Sequence, residues 1–564
     1  MHDTQVENRE ALEPNSAEAA SERPRWRSWL PKAAIAVLVP IALVVMLELC
    51  LRLFNVGYST ELTQPCTMHG RPANCYNLFF PAPFFPPGMI KSPQAYAIPV
   101  AKPKNTYRIF VLGESAAMGD PDPAYSFSRY LEVMLAQRFP NMNFEVANTG
   151  SVAINSHVSL LIAKALAKLK PDLVIIYSGN NEVVGPYGPG TALTSSAMWL
   201  PWVRASIFLR STRVGQLMTR LGAQKQEWRG MEMFLDKQVP ESSPLMKSAY
   251  ANFDANLRDT IAASQDAGAK VIVSTVATNL KDCAPFASQH REGLKPDELQ
   301  KWSGLIDEGS RLENAGAYDA ALNAYMAALA IDNQYAELEF RIARCLSKMG
   351  NYQQARQHFS RARDLDTLRF RADSKINEIN RSAASAKAEL VDADALFSQS
   401  SPNGTTGSEL VYEHVHLTPA GNYLLAREMF RKIATPLAGH AIEDSDIPSQ
   451  AECERMLALT GYDRYRLDNE MLQRLQRPPF TTQLNHAEQR LRLMMDMQAP
   501  VASPEETAEE YRAAIAQRPN DRILHYNFGL FLYNFDRFAG AEELKLSQPW
   551  DGFPVFAPDG TQVQ

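Results

Sequence analysis

Residues 107–120 read YRIFVLGESAAMGD, an apolar run of strand length, with Arg108 its one charge, that ends in a glycine and passes Ser115 on a turn into a helix-forming stretch. A continuous apolar run, as opposed to an alternating one, is the pattern of a strand covered on both faces. Three more such runs follow, FEVAN (144–148), DLVIIYS (172–178) and KVIVSTV (270–276), with helix-like segments between them. Strands alternating with helices predict an α/β domain whose parallel sheet is joined by right-handed crossovers. Ser115 then stands just past the carboxyl end of the first strand, where open parallel sheets place their active sites.

Around this nucleus the composition sets limits. The chain has 564 residues, 45% of them hydrophobic and 21% charged, which is enough for more than one core. Net charge is −6, with 57 basic against 63 acidic residues, so no overall basic field of the kind used to bind nucleic acid is present. A negative mean hydropathy excludes a polytopic transporter. One candidate span remains, AAIAVLVPIALVVMLELCL (33–51), lying between Lys32 and Arg52 with Glu48 as its single charge. Arg23, Arg25, Arg27 and Lys32 precede it and only Arg52 closely follows, so the positive-inside rule predicts a single-pass inner-membrane protein with a cytoplasmic N-terminus and the bulk of the chain periplasmic or otherwise extracytoplasmic. A cleaved signal peptide is the competing reading; the stretch is longer than a typical signal core, and VGYST (56–60) offers no clear small-x-small site.

The expected layout at the N-terminal end is a disordered cytoplasmic tail over 1–32, the anchor over 33–53 and, on PAPFFPP and IPVAKPK, a Pro-rich extended linker over 54–103. Of the six cysteines, Cys66 and Cys75 lie close together on the outer side of the anchor and predict a disulfide. A zinc site is not expected there, because only His69 lies between them.

After residue 298 the chain turns to Ala-rich helix with an internal repeat. Gly316, Ala321, Tyr325 and Ala328 recur 34 positions on as Gly350, Ala355, Phe359 and Ala362, the tetratricopeptide (TPR) signature. A weaker copy runs through Tyr511, Ala514, Pro519, Phe528, Gly529, Phe538 and Ala541. Such helix pairs stack and offer a face to a partner protein. Between the two repeat regions the α/β character returns, with ELVDADALF (389–397) as a strand candidate followed by LVYEHVHLTPAGNYLLAREMF (410–430). The economical layout is one α/β domain in two parts, 104–297 and 381–436, interrupted by a TPR-like insertion over 298–380 and followed by a helical C-terminal region over 437–564.

Four segments carry candidate chemistry: Gly113-Glu114-Ser115, Asn148-Thr149-Gly150, Gly179-Asn180-Asn181-Glu182 and Glu413-His414-Val415-His416. On its own Ser115 reads as a helix N-cap, and the G-x-S-x-G elbow of lipases is absent because Ala117 stands where glycine is needed. A nucleophilic hydroxyl needs a base to take its proton, a carboxylate to orient that base, and donors for the oxyanion. Together the segments supply every role.

In this order the four segments resemble the blocks of the SGNH/GDSL hydrolase superfamily. The resemblance implies a flavodoxin-like three-layer parallel sheet and assigns Ser115 as nucleophile, His416 as general base and Glu413 as orienting acid, with Gly421 where the last block often ends. It implies an oxyanion hole from the N–H groups of Ser115 and Gly150 and the side chain of Asn181. Positions 114, 182 and 413 carry Glu where the family usually has Asp. The implied function is a membrane-anchored serine esterase acting on an acyl or acetyl ester, of a cell-envelope glycan or lipid, without cofactor or metal. An O-acyltransferase would use the same machinery, and a non-catalytic envelope assembly factor recruiting partners through its TPR repeats is the reading from another class. Metal ligation by His414 and His416 is set aside because alternate residues on an extended segment point to opposite sides. His290 is read as lining the cleft or as a surface residue, and NGTTG (403–407) as a loop over the cleft. No phosphate-binding loop and no G-x-G-x-x-G turn occurs.

Overall fold

The computed structural model describes residues 26–90, 94–194, 196, 199–222 and 227–563. The apolar helix α1 (Trp26–Leu53) leads into three short antiparallel strands, β1 (Thr63–Met68), β2 (Arg71–Tyr76) and β3 (Ala97–Pro99). The central sheet follows as β4 (Thr106–Gly113), β5 (Asn143–Asn148), β6 (Leu173–Tyr177), β7 (Lys270–Ser274) and β8 (Glu389–Val391). Its order is β5-β4-β6-β7-β8 with every pairing parallel, the flavodoxin-like arrangement in which the first strand of the sheet lies second from the edge.

The helices on the sheet are α2 (Ser115–Met118), α3 (Phe127–Arg138), α4 (Ser156–Ala165) and α7 (Pro244–Asp266), and the pair α5 (Leu200–Ser211) and α6 (Arg213–Gly222) stands off it between β6 and α7. The repeat segment between β7 and β8 contributes α8 (Pro296–Asn314), α9 (Tyr318–Leu329), α10 (Ala336–Lys348) and α11 (Tyr352–Leu365), and is followed by α12 (Ser374–Lys387). After β8 come α13 (Ala393–Ser400) and α14 (Pro419–Ala438), then the C-terminal helices α15 (Gln450–Met456), α16 (Gly461–Leu475), α17 (His486–Asp496), α18 (Pro504–Gln517), α19 (Arg522–Tyr533) and α20 (Arg537–Leu546), and a small hairpin, β9 (Val555–Phe556) and β10 (Gln562–Val563). Helix α3 packs with α14, while α7 packs with α4 and α12. Right-handed crossovers on either side of β4 put these two groups on opposite faces of the sheet, and Ile109–Leu112, Val174–Ile176 and Val271–Val273 are buried between them.

Several expectations are corrected. Of the tail expected over 1–32, residues 1–25 lie outside the described residues, and the helix already begins at Trp26. The segment 54–103 is not an extended linker: β1 and β2 form a hairpin through His69 and Gly70, both at positive φ, and are tied by the Cys66–Cys75 disulfide. Prolines are tolerated in so small a sheet because few ladder bonds are required of it, and Tyr76, Phe80, Phe84, Phe85 and Tyr96 join the main core. Only Glu389–Val391 of the 389–397 segment is strand, because the Asp392 side chain accepts the Ala395 N–H (3.2 Å) and starts α13. Helix α12 packs on α7 and β7, so the sandwich resumes at Ser374, ahead of residue 381. The NGTTG segment packs inward, its Thr406 carbonyl accepting the N–H groups of Leu280 and Lys281, and it does not line the cleft.

In the repeat segment both repeat glycines hold positive φ between helices, 77° at Gly316 and 83° at Gly350. The matched pairs Ala321/Ala355, Tyr325/Phe359 and Ala328/Ala362 are all buried in a core of their own. The weaker copy near the C-terminus buries Tyr511, Ala514 and Phe528, but its Phe538 is exposed.

Candidate active site

The turn that presents Ser115 depends on close backbone packing. A Cβ on Gly113 would collide with the carbonyl of Tyr177 on β6, so β4 reaches the edge of the sheet only with glycine there. Ser115 opens the short helix α2, and its Oγ lies 2.8 Å from His416 Nε2. His416 comes from the segment between α13 and α14, which turns back on itself through Tyr412 N–H donating to His416 O (2.8 Å) and a bridge between Val411 and Leu417. The segment is therefore not extended, and the ground on which His414 and His416 were expected to point apart does not hold. Their rings meet edge to face at 5.5 Å, and donor atoms of Glu413, His414 and His416 all fall within 4.8 Å of one another.

Glu413 sits at the centre of this turn. Its Oε2 accepts the N–H groups of His414 (2.6 Å), Val415 (3.1 Å) and His416 (3.1 Å), and its Oε1 pairs with His416 Nδ1. Burial pushes its carboxyl pKa up, but the imidazoles of His416 and His414 and these hydrogen bonds hold it well below the usual range. His414 packs against Phe286, Phe370 and Phe480, and burial drives its pKa down.

Two groups beside His416 had not been anticipated. Asp120, at the end of the quoted stretch, places Oδ2 3.0 Å from His416 Nε2. Arg474, on α16 of the C-terminal region, clamps Asp120 through both guanidinium ends (2.7 and 3.0 Å) and lies 3.7 Å from Glu413 Oε1. Burial lowers the His416 pKa, and the carboxylates of Glu413 and Asp120 overcome this to raise it. Burial likewise favours a neutral Asp120, yet His416 and Arg474 keep it ionised.

The two expected oxyanion donors beyond Ser115 differ in placement. Asn181 lines the cleft, with Nδ2 donating one hydrogen bond to Ile154 O (3.1 Å) and a second hydrogen remaining on that atom. Gly150 does not line the cleft: its N–H donates to Asn148 Oδ1 (2.9 Å), and a Cβ there would crowd Met118 N at 2.7 Å. Glu114 and Glu182 act in the scaffold. Glu114 accepts Ser178 Oγ (2.6 Å) and Gly179 N–H (2.9 Å), while Glu182 accepts the N–H (2.8 Å) and Oγ (2.7 Å) of Ser156 at the start of α4. Burial pushes their pKa values up to about 7 and about 8. His290 lies outside the cleft, bonded to Asp332 (2.7 Å) and packed on Trp302 and Tyr335 of the repeat segment.

The cleft holds about 410 Å³. Ser115, Asp120, Asn181 and His416 stand on its polar side, and Trp228, Met231, Phe234, Phe370 and Phe480 form an apolar wall. Such a space, with a hydroxyl, an imidazole and a carboxylate in series at one end, has the layout needed to hold an acyl group against a nucleophile.

No curated protein matches the chain. Solved structures with a similar course include an acetyl xylan esterase (12% identity, 58% of this chain and 99% of that one, TM-score 0.29), a lipase/acylhydrolase from Enterococcus faecalis (12%, 58% and 96%, 0.27) and an acetylxylan esterase from Geobacillus stearothermophilus (12%, 58% and 94%, 0.28). Residues 314–372 match the tetratricopeptide repeat family. The chain thus carries a tetratricopeptide repeat segment set into an α/β domain whose parallel sheet has flavodoxin-like order.

Proposed function

We propose that the protein is a membrane-anchored, extracytoplasmic serine esterase of SGNH type acting on an acyl ester. The observation that carries this reading is the 2.8 Å approach of Ser115 Oγ to His416 Nε2, with Glu413 bound behind the imidazole, at the polar end of a cleft with an apolar wall. Ser115 Oγ attacks the ester carbonyl as its proton passes to His416 Nε2, and Glu413 stabilises the imidazolium. The oxyanion falls to the Ser115 N–H and the free hydrogen of Asn181 Nδ2; Gly150 joins them only if Asn148 releases its N–H. His416 then protonates the leaving alcohol, and a water deprotonated by the same imidazole hydrolyses the acyl–Ser115 ester. An alcohol in place of water turns the same steps into acyl transfer.

Location supports an envelope ester as substrate: α1 includes Ile35–Leu53, long and apolar enough to cross a membrane. The TPR segment supports recruitment of a protein partner. The test is labelling by a fluorophosphonate probe together with p-nitrophenyl acetate turnover, for the wild type, Ser115→Ala and His416→Ala. Labelling and turnover are expected in the wild type and lost in both variants, turnover falling by at least about 10³-fold. A folded wild type that neither labels nor turns over would count against the esterase reading and favour a binding role.

A further inference from the structure

Between the Asn181 turn and Trp228 the chain leaves the sheet for the helical pair α5–α6. Val203 and Ile207 face inward, but Trp199, Trp202, Phe208, Leu209, Met218 and Leu221 face out, with exposures of 68% at Phe208, 69% at Met218 and 82% at Leu221. An exposed apolar surface of this density marks an interaction site. Its charge is one-sided: residues 183–226 contain no Asp or Glu, while Arg204, Arg210, Arg213, Arg220 and Lys225 are all cationic. Arg204 pairs with Asp259 (2.6 Å), but the guanidinium groups of Arg210, Arg213 and Arg220 meet no carboxylate among the described residues.

The position of the pair is fixed by the end of α1. Glu48 Oε2 accepts the Val214 N–H (2.9 Å), and Gln216 exchanges hydrogen bonds with the backbone of Tyr58 (3.0 and 2.9 Å). Arg220 lies over the Tyr58 ring, which stacks on Phe79 at 4.8 Å. Leu53, Phe54 and Val56 are exposed alongside. The apolar face of α5–α6 is thus continuous with the membrane-competent helix at the level where that helix stops.

We propose that α5–α6 is a membrane-interface element, with its apolar side chains at the acyl boundary and Arg210, Arg213 and Arg220 among anionic headgroups. The inference rests on reading α1 as a membrane span. The excursion that holds α5–α6 also supplies Trp228, Met231 and Phe234 to the cleft wall, so seating it holds the cleft beside the bilayer surface.

The full chain, with Cys50→Ser, is reconstituted into phosphatidylcholine vesicles with and without phosphatidylglycerol, carrying a nitrobenzoxadiazole label on one introduced cysteine at a time. Phe208→Cys and Met218→Cys report on the pair, Leu43→Cys on the span, and Leu491→Cys, on exposed α17, on the aqueous face. Quenching by lipid spin-labelled near its headgroup is expected to be several-fold stronger at 208 and 218 than at 491, and stronger with phosphatidylglycerol present, while lipid spin-labelled deep in its acyl chain is the quencher that reports on 43. Quenching at 43 with 208 and 218 no different from 491 would overturn this inference and leave the anchor standing. A lipid-independent spectral shift at 208 and 218 would overturn it in favour of a second protein copy. A label at 43 that lipid does not quench would remove the anchor reading itself.

Discussion

His416 faces two carboxylates where a Ser–His–acid arrangement needs one. Glu413 takes Nδ1, while Nε2 approaches both Ser115 Oγ (2.8 Å) and Asp120 Oδ2 (3.0 Å). Arg474 beside them disfavours the imidazolium, and the buried ring of His414 packs on it edge to face. With its pKa raised, the imidazole is protonated, and unable to take the Ser115 proton, until pH exceeds the ordinary histidine range. Turnover should therefore climb with pH through a raised value. Asp120→Asn is expected to move the ascending limb of the kcat/KM profile for p-nitrophenyl acetate to lower pH, and a limb that stays in place would show that Asp120 does not raise the His416 pKa. Ser115, Glu413 and His416 were legible because each falls in a short local block; Arg474 was not, since it meets Asp120 across 354 positions and no local pattern marks it. The Gly150 N–H was misplaced for a similar reason: only the folded turn shows that Asn148 accepts it.

Among the elements, the four continuous apolar runs became β4, β5, β6 and β7, and the 34-residue period became the paired helices α8–α11. Both patterns are written in burial periodicity, which local sequence carries. The Cys66–Cys75 bond was legible from its short spacing, but the ordered β1–β3 unit around it was hidden because proline content argued for an extended chain, while the aromatic packing that fixes it depends on distant partners. The strand expected over 389–397 stopped early because the Asp392 cap outweighed β propensity. The turn after β6 has its own signature in solution. Glu182, its pKa raised to about 8 by burial, caps α4. A carboxyl with a raised folded-state pKa stabilises most when protonated, so its contribution is complete below the ordinary glutamate range and is lost as pH rises toward about 8. Glu114, raised to about 7, adds in the same direction. Thermal melts should show stability declining across this window, and Glu182→Gln should flatten the decline; a slope equal to wild type would mean that Glu182 is ionised in the fold.

On the scale of the whole molecule, the C-terminal helices close over the sheet through a line of ion pairs. Arg129 pairs with Asp521, Arg518 reaches Glu132 (3.0 Å), Arg466 pairs with Asp122 and Arg474 with Asp120 (2.7 Å). The side chains of Arg129 and Asp521 are both buried, and Asp521→Ala leaves Arg129 with Glu132 alone and takes the N-cap from α19, so it is expected to cost about 3 kcal/mol in denaturant unfolding; an unchanged midpoint would show the pair to be dispensable. The same closure brings Arg474, Gln473 and Phe480 to the cleft, so the region after residue 437 completes the site. The proposed esterase reaction requires that Ser115 carry the acyl group. It is tested most directly by mixing the protein with p-nitrophenyl acetate, quenching in acid and mapping the acetylated peptide by mass spectrometry. One acetyl group is expected on the peptide holding Ser115, absent in Ser115→Ala and accumulating slowly or not at all in His416→Ala. An acetyl group found elsewhere, or unaltered in Ser115→Ala, would contradict it.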